Sequence, residues 1–416
     1  MIKIRTLNCG VRVVMEKTDF LQSAAIGFWV RAGAVDEEAK YSGVSHFIEH
    51  MMFKGTNNRS AKEIAEDIDK IGGQINAFTS NETTCYYVKT LSSNLLKSTE
   101  VLLDMLTESK FDKHEMTRER QVICEEIKMT KDAPDEAAQE AIMEMVNKGN
   151  PLGKSIIGTP TTLKNISRNV IVDYIDKEYT RDSIVIAIAG NFDEEEICEY
   201  LEGKLLKFRE KKEPKKHEIL PYKPSYKVMI KDIEQAHLFI GTEGLKLTDD
   251  NSYKLMVLSK ILGGSMSSRL FQSVRERKGL AYSVYSANST STISGGFYIY
   301  AGVSHENIKP AIEAIKEEII KIGRDGVTID ELNKAKEQIK AGFIFGLENV
   351  ASKMFSLGKN LLLRGEVREE KEVLDIVDAI TVEDVNEIAQ MICDPKTYCG
   401  VAITNKRFDL KKILNN

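Results

Sequence analysis

The sequence predicts an α+β fold made of two homologous domains, and three observations lead to this prediction. Segments with the period-two alternation of strands alternate with segments that have the longer period of amphipathic helices. The order of a strand, a polar turn, a long helix and a capped helix occurs twice, from Tyr86 and again from Phe297, about 211 residues later. A stretch of mixed charge that contains three prolines separates the two occurrences. One α+β unit used twice accounts for all three observations.

The strands of the first half are predicted from alternation and from apolar runs. Residues 1–7 and 11–15 have the pattern of two strands, and the Asn-Cys-Gly sequence between them is typical of a tight turn. Further strands are predicted at residues 24–30, 84–89 and 184–189. The last of these is the longest apolar run of the chain, which indicates a buried strand.

The helices of the first half are predicted from their caps and from helical spacing. A helix at residues 60–71 begins with a capping box formed by Ser60 and Glu63 and ends before two glycines. A long helix is predicted at residues 94–109, and another at residues 112–131.

The two predicted domains cover residues 1–210 and 226–416, and residues 211–225 form the linker between them. Pro214, Pro221 and Pro224 lie within this mixed-charge stretch, which therefore cannot form a core element.

The composition excludes several classes of protein. The chain has 416 residues, 42% hydrophobic and 29% charged, which is typical of a globular protein and not of a disordered or fibrous one. The net charge is −5, so the chain lacks the overall excess of basic residues that is typical of proteins that bind nucleic acid. No apolar run approaches the roughly 18 residues needed to cross a bilayer. The six cysteines are scattered without a C-x-x-C pair, and the N-terminus has no signal or transit pattern. We therefore expect a cytoplasmic protein with reduced thiols and no membrane partner.

The motif with the most chemical content is His46-Phe-Ile-Glu49-His50. On a helix, His46 and His50 are four residues apart and project from one side, so both imidazoles can reach one tetrahedral zinc ion. The carboxylate of Glu49 lies beside them and can take a proton from an attacking water. The alternative is two surface histidines on an ordinary helix, which is improbable in a chain with only six histidines.

A zinc site with an open position needs a third protein ligand, and the best candidates follow in a predicted helix. Glu119 and Glu126 are seven residues apart, so they lie two turns apart on one helix face. Val122 and Ile123 lie between them, so this face should be partly buried, where carboxylates are costly unless they are paired or bound to metal. Spacing does not choose between Glu125 and Glu126, although periodicity slightly favours Glu126. The alternative is a solvated helix with ordinary charges.

Taken together, these residues resemble the M16 (insulinase-like, inverzincin) metallopeptidases, in particular their short-chain members. These carry H-x-x-E-H and a glutamate some 76 positions past the second histidine, which corresponds to Glu126. The sequence Gly-Gly-Gln-Ile-Asn-Ala-Phe-Thr-Ser at residues 72–80 is similar to the substrate-binding edge strand of the family. Residues 262–284 are similar to its C-terminal segment with a conserved arginine and tyrosine. The resemblance spans nearly the whole chain.

The resemblance implies the architecture and the roles of the metal-site residues. Each domain should be a mainly antiparallel sheet with helices packed on one face. One Zn²⁺ per chain would be bound by His46, His50 and Glu126, with Glu119 supporting the ligands and Glu49 acting as general base. Without the resemblance, the preceding observations would leave the choice of the third ligand open.

The resemblance also implies how peptide would be bound. The substrate would add as a strand beside Asn76, Ala77, Phe78 and Thr79. Arg275 and Tyr282 would donate hydrogen bonds to the substrate and to the oxyanion of the transition state. From the residues alone, Arg275 would be interpreted as a surface arginine and Tyr282 as a core tyrosine.

The function implied is that of a zinc-dependent endopeptidase that acts on unfolded peptides or presequence-like segments inside a closed chamber. Because one chain carries both motifs, a homodimer could complete the chamber, and a heterodimer with an inactive relative is the other possibility. Two different classes of function compete with this interpretation: a non-catalytic or scaffold subunit of the same fold, and a metal-binding protein without hydrolytic activity. The complete set of His46, Glu49, His50 and Glu126 argues against the scaffold subunit.

Overall fold

The computed structural model describes residues 1–211 and 219–415. The strands in chain order are β1 (Ile2–Thr6), β2 (Arg12–Lys17), β3 (Ser23–Val30), β4 (Gln74–Thr79), β5 (Thr84–Leu91), β6 (Ile184–Gly190), β7 (Tyr226–Ile230), β8 (Ala236–Glu243), β9 (Ala281–Thr290), β10 (Gly295–Val303) and β11 (Cys399–Thr404). All the strands predicted for the first half are confirmed, with boundaries that differ by one or two residues.

The α-helices in chain order are α1 (Val44–Met52), α2 (Ala61–Lys70), α3 (Leu95–Glu108), α4 (Lys113–Asp132), α5 (Pro134–Val146), α6 (Pro160–Asn165), α7 (Arg168–Glu178), α8 (Glu194–Leu201), α9 (Ser252–Gly263), α10 (Ile308–Asp325), α11 (Ile329–Leu347), α12 (Val350–Leu363), α13 (Glu370–Ala379), α14 (Val382–Ile392) and α15 (Leu410–Asn415). A π-helix, Phe271–Arg277, lies between α9 and α10. The predicted capping box of α2 is confirmed, because Ser60 and Glu63 exchange hydrogen bonds.

The chain folds into two compact units, each assembled from three separate pieces. Within the described residues, unit 1 comprises residues 1–127, 154–211 and 344–369, and unit 2 comprises residues 128–153, 219–343 and 370–415. The domains predicted from the sequence, by contrast, are continuous ranges. The predicted linker lies partly outside the described residues, and its described residues, 211 and 219–225, form neither helix nor strand.

Unit 1 contains a six-stranded sheet in the order β1-β2-β6-β3-β5-β4. Only β2 and β6 run parallel; every other neighbouring pair among these strands is antiparallel. On one face, Ile26 and Phe28 of β3 belong to the same hydrophobic core as Phe47 of α1 and Leu102 of α3. This face supports the helix that carries the zinc motif.

The other face of this sheet packs against α12. A Cβ atom added to Gly27 would collide with the sulfur of Met354, and one added to Gly358 would collide with the indole of Trp29. The expectation that helices pack on one face of the sheet is therefore wrong for unit 1. The physical reason is that β6 is buried along its whole length and β3 is buried beyond its first residue, so both faces need cover.

Unit 2 contains a five-stranded sheet in the order β7-β11-β8-β10-β9, with only β7 and β11 parallel among the described strands. Strand order and direction match those of β2-β6-β3-β5-β4 in unit 1, in agreement with one α+β unit used twice. One face packs on α9 and α10, while Phe239 and Tyr298 on the other face pack with Ile142 and Met145 of α5. The α+β fold is confirmed, and helices again cover both faces of the sheet.

Two expectations from composition can be compared with the structure. Among the described residues, no helix combines the length and the apolar character that crossing a bilayer requires. All six cysteines are unpaired, and five of them are buried.

Candidate metal centre and active site

Helix α1 presents the zinc motif because its start and its inward face are both fixed. It follows Gly43, whose φ of 92° lies in the left-handed region that favours glycine. The buried carboxylate of Glu37 accepts hydrogen bonds from the backbone N–H groups of Gly43 and Ser45, at 2.7 and 2.9 Å. A carboxyl oxygen is a suitable acceptor at this position, because the first N–H groups of a helix lack partners within the helix.

The histidines of α1 lie on the side away from the core. Phe47, Ile48 and Met51 are buried, whereas the side chains of His46 and His50 are 14% and 18% exposed. The centroids of the two imidazole rings are 4.6 Å apart. Both histidines therefore remain accessible from one side of the helix, as the spacing predicts.

The third member of the group is Glu126 of α4. Its Oε2 atom lies 3.9 Å from Nε2 of His46 and 3.6 Å from Nε2 of His50. Ligand atoms of the three residues all lie within 4.8 Å of one another, and within the described part of the chain this is the one such group of histidine, cysteine or acidic side chains. The group contains Glu126 and not the neighbouring Glu125, so the geometry favours Glu126, as the periodicity of the helix does.

The donor set fits a zinc ion. Two imidazole nitrogens and one carboxylate oxygen are ligands that zinc prefers, and three protein ligands leave a fourth position for water or substrate. Burial, and to a smaller extent the neighbouring His50, lowers the pKa of His46 to about 4, so its imidazole is neutral at physiological pH. A neutral imidazole is the form that binds metal.

Glu119 lies on the same face of α4 as Glu126, but its surroundings differ. It is 5% exposed, and its Oε2 atom lies 3.1 Å from Nδ1 of His50. The expected burial of this face is confirmed for Ile123, which is fully buried, and is wrong for Val122, which is 44% exposed. At 100° per residue, Val122 lies about 60° around the helix from Glu119, at the edge of the face.

Glu49 is held between α1 and the end of β4. Its Oε2 atom accepts a hydrogen bond of 2.5 Å from the hydroxyl of Thr79. Burial raises the pKa of Glu49, and the Thr79 hydrogen bond opposes this effect. A carboxylate with a raised pKa is a stronger base, which suits a group that takes a proton from water.

The four predicted substrate-binding residues lie on β4, which is at the edge of the sheet and pairs only with β5 among the described strands. Asn76 is exposed, Ala77 is buried, and Phe78 and Thr79 are half-buried. Oδ1 of Asn76 accepts a hydrogen bond of 2.8 Å from the backbone N–H of Ala77. An edge strand of this kind can accept an extended peptide.

Arg275 and Tyr282 lie in unit 2, whereas the metal group lies in unit 1. The Arg275 guanidinium stands over two rings, 4.7 Å from the centroid of Phe271 and 5.3 Å from that of Tyr282. Tyr282, on the edge strand β9, is 75% exposed and is therefore not a core tyrosine. The two residues are close to each other and accessible.

Two polar contacts of the site were missed from the sequence. Lys54 pairs with Glu119, with 2.8 Å between Nζ and Oε1. Thr79 was predicted only as a substrate-strand residue, although its hydroxyl also binds Glu49. Lys54 lies four residues after His50, a helical spacing that could have indicated proximity. A lysine at the end of a helix is too common to single out.

Comparison with known proteins agrees with this geometry. Residues 12–160 match the family described as insulinase (peptidase family M16), and residues 165–339 match the peptidase M16 inactive domain. The uncharacterized zinc protease YmxG of Bacillus subtilis is 41% identical over 392 residues, which cover 94% of this chain and 96% of that protein. An uncharacterized zinc protease of Rickettsia felis is 36% identical over 401 residues, 96% of each chain.

Solved structures support the fold. A peptidase M16 inactive domain from Pseudomonas fluorescens matches with a TM-score of 0.89 at 18% identity, covering 98% of both chains. A protease from Helicobacter pylori matches with a TM-score of 0.86 at 22% identity, covering 97% of this chain and 99% of that one. The fold and the three side chains that can bind a metal ion together define the class of protein, a zinc metallopeptidase. The chain belongs to the insulinase family, peptidase family M16.

Proposed function

We propose that the protein is a zinc-dependent endopeptidase that hydrolyses unfolded peptides or presequence-like segments inside a closed chamber. The observation that carries this proposal is the convergence of His46, His50 and Glu126 beside Glu49, which is itself bonded to the edge strand through Thr79. Metal ligands, a base and a peptide-binding edge thus occur within one small region of unit 1.

The protein groups have distinct roles in this proposal. His46, His50 and Glu126 would hold a zinc ion, and its chemical contribution would be Lewis acidity toward water and the peptide carbonyl. Glu49 takes the proton of the attacking water and then transfers it to the leaving amine. Thr79 keeps the carboxylate of Glu49 oriented, because its hydroxyl donates to Oε2.

The substrate would be bound mainly through its backbone. An extended peptide beside Asn76, Ala77, Phe78 and Thr79 would gain main-chain hydrogen bonds with little demand on sequence. Unfolded or short substrates can present such a strand anywhere along their length, whereas a folded protein offers it only at an exposed sheet edge. This requirement supports the proposed preference for unfolded peptides.

Assembly as a homodimer is part of the same proposal. The metal group and the Arg275 and Tyr282 pair occur in one chain, so two identical copies hold everything that two complete sites need. Each metal group would be faced by Arg275 and Tyr282 of the partner subunit, which would donate hydrogen bonds to the oxyanion. A heterodimer with an inactive relative is the competing assembly. We also propose a cytoplasmic location, on the basis of the six unpaired cysteines.

Cleavage of fluorogenic peptides tests the enzymatic proposal. The wild type should cleave an unstructured peptide, lose this activity with a chelator and regain it when zinc is added back. Glu49→Gln should lower kcat by about 10²-fold or more while zinc stays bound, because a general base typically contributes 10²–10⁴-fold. Glu125→Gln is the matched control, since Glu125 is an exposed acidic side chain next to a proposed ligand.

A zinc-loaded wild type that cleaves no faster than Glu49→Gln would contradict the endopeptidase proposal. Zinc binding without cleavage would favour the metal-binding protein, and neither binding nor cleavage would favour the scaffold subunit.

A further inference from the structure

Lys54 connects to the candidate metal group through a buried carboxylate. Its side chain is 30% exposed, and its Nζ atom lies 2.8 Å from Oε1 of Glu119. The other oxygen of that carboxylate, Oε2, lies 3.1 Å from Nδ1 of His50. Lys54, Glu119 and His50 thus form a continuous series of polar contacts that ends at a proposed zinc ligand.

Glu119 needs a cationic neighbour because it is buried. Met116 and Ile123 are buried on the same helix, and Glu119 itself is 5% exposed. A carboxylate removed from water is costly unless it is paired or hydrogen-bonded. Within residues 1–211 and 219–415, its ion-pair partners are His50 and Lys54, and of these Lys54 carries the ammonium group.

The contact with Glu119 determines which nitrogen of His50 carries the proton. A carboxylate only accepts hydrogen bonds, so in the neutral imidazole, the form that binds metal, Nδ1 of His50 donates to Glu119 and Nε2 keeps its lone pair. Nε2 is the nitrogen directed at Glu126, 3.6 Å from its Oε2 atom. The Nδ1 atom of His46, by contrast, is buried without a hydrogen-bond partner among the described residues. His50 is therefore the histidine whose tautomer is controlled through a neighbouring carboxylate.

We propose that Lys54 is a positioning residue, which holds the Glu119 carboxylate as the acceptor that presents Nε2 of His50 to zinc. This inference rests on the proposed zinc site and adds a residue to it. The competing role is purely structural, because a cation just beyond the C-terminus of α1 also interacts favourably with the helix dipole. A structural role would change the free energy of unfolding without changing zinc affinity or the tautomer of His50.

Equilibrium zinc titrations against a competing chelator test the proposal. Lys54→Met should weaken zinc binding by about 10-fold or more, the range found for residues that support a metal ligand. Lys54→Arg should recover most of the affinity, because arginine keeps both the charge and the donor. Lys62→Met is the matched control, since Lys62 is 83% exposed and pairs with Glu66 on the surface, and it should bind zinc as the wild type does.

A double-mutant cycle shows whether Lys54 acts through Glu119. If it does, Lys54→Met combined with Glu119→Gln should bind zinc no more weakly than Glu119→Gln alone. The proposal would be overturned if the double variant lost zinc affinity by the product of the two single-variant factors. It would also be overturned if Lys54→Met bound zinc as tightly as the wild type.

The tautomer of His50 provides a readout that does not require zinc. Nitrogen-15 NMR of the metal-free wild type, recorded at a pH where the His50 ring is neutral, should show its proton on Nδ1, and Lys54→Met should show a mixture of the two tautomers. If Lys54→Met does not fold, Lys54→Gln replaces it in the same measurements. An unchanged His50 signature in the variant would contradict this inference alone, whereas a wild type that binds no zinc would contradict the proposed function.

Discussion

The two glutamates on one face of α4 differ most in their exposure. The side chain of Glu126 is 37% exposed, so it can bind an ion that enters from solvent, whereas that of Glu119 is 7% exposed and contacts His50 and Lys54. Helical spacing predicts that both lie on one face, but it contains no information about depth below the surface. The sequence could therefore identify Glu119 and Glu126, but not Lys54, which contacts Glu119.

The first prediction concerns the third ligand. Glu126→Gln should lose most of its zinc, because an amide oxygen is a weaker ligand than a carboxylate, while Glu125→Gln should retain wild-type zinc. Glu119→Gln should lie between them, with affinity lower by about 10–100-fold. Metal analysis of the purified variants after dialysis measures this order. Loss of zinc from Glu125→Gln and retention by Glu126→Gln would show that the ligand is misassigned.

The second prediction concerns Glu37, whose pKa is raised to about 7, mainly by burial and against the effect of the Ser45 and Gly43 N–H groups. Because its ordinary pKa is 4.5, the folded chain binds a proton that the unfolded chain has released between these two pH values. The contribution to stability is thus complete below about pH 4.5 and is lost as pH rises through about 7.

Urea unfolding of the wild type and Glu37→Gln from pH 4.5 to 8.5 measures this contribution. The difference between their unfolding free energies should change by up to about 3 kcal/mol, since one pKa unit corresponds to about 1.4 kcal/mol. If the unfolding free energies of the two proteins changed with pH in the same way, the pKa of Glu37 would be the same in the folded and the unfolded state.

At the scale of secondary structure, α12 and α5 are the elements that the sequence could not place. The helical pattern of each is visible in the sequence. However, each helix covers a sheet whose strands come from the half of the chain to which the helix itself does not belong. Periodicity is local, so it indicates that a helix has an apolar face without indicating which sheet that face covers. The strands, the α1 motif and the caps depend on neighbouring residues and were predicted correctly. This difference also explains why one-sided packing was wrongly expected.

The third prediction concerns the contact between α12 and β3. Gly358→Ala should lower the free energy of unfolding by about 1–3 kcal/mol, because its Cβ would collide with the buried indole of Trp29. Gly342→Ala is the control within a helix, since no described atom lies within 4 Å of the added Cβ apart from its chain neighbours and the backbone of its own helix. It should be neutral or stabilising by up to about 1 kcal/mol. Equal effects of both substitutions in urea unfolding would contradict this account of the packing.

At the scale of the whole molecule, the metal group and the pair formed by Arg275 and Tyr282 lie in different units of one chain. The resemblance to a peptidase family was needed to connect them, because nothing in local spacing links residues that are about 150 to 236 positions apart. Their joint use in one site remains a prediction, and a homodimer makes it testable.

The fourth prediction is complementation between inactive subunits. Glu49→Gln, mixed with a chain that carries both Arg275→Ala and Tyr282→Phe, should recover up to about a quarter of wild-type activity after subunit exchange. Half of the dimers are then mixed, and each mixed dimer holds one intact site. Exchange is verified with two differently tagged chains. No recovery despite verified exchange would mean that each site is completed within one chain.

The hydrogen bond between the N–H of Ala77 and the side chain of Asn76 has a consequence for solubility. A strand at the edge of a sheet exposes main-chain groups that can template pairing with other chains and lead to aggregation. On β4, one such donor is already satisfied by a side chain of the same strand. A second chain must displace this side chain before it can accept a hydrogen bond from the N–H of Ala77, so a chance contact at this position gains less free energy. Asn76 thereby lowers the tendency of this open sheet edge to pair with other chains.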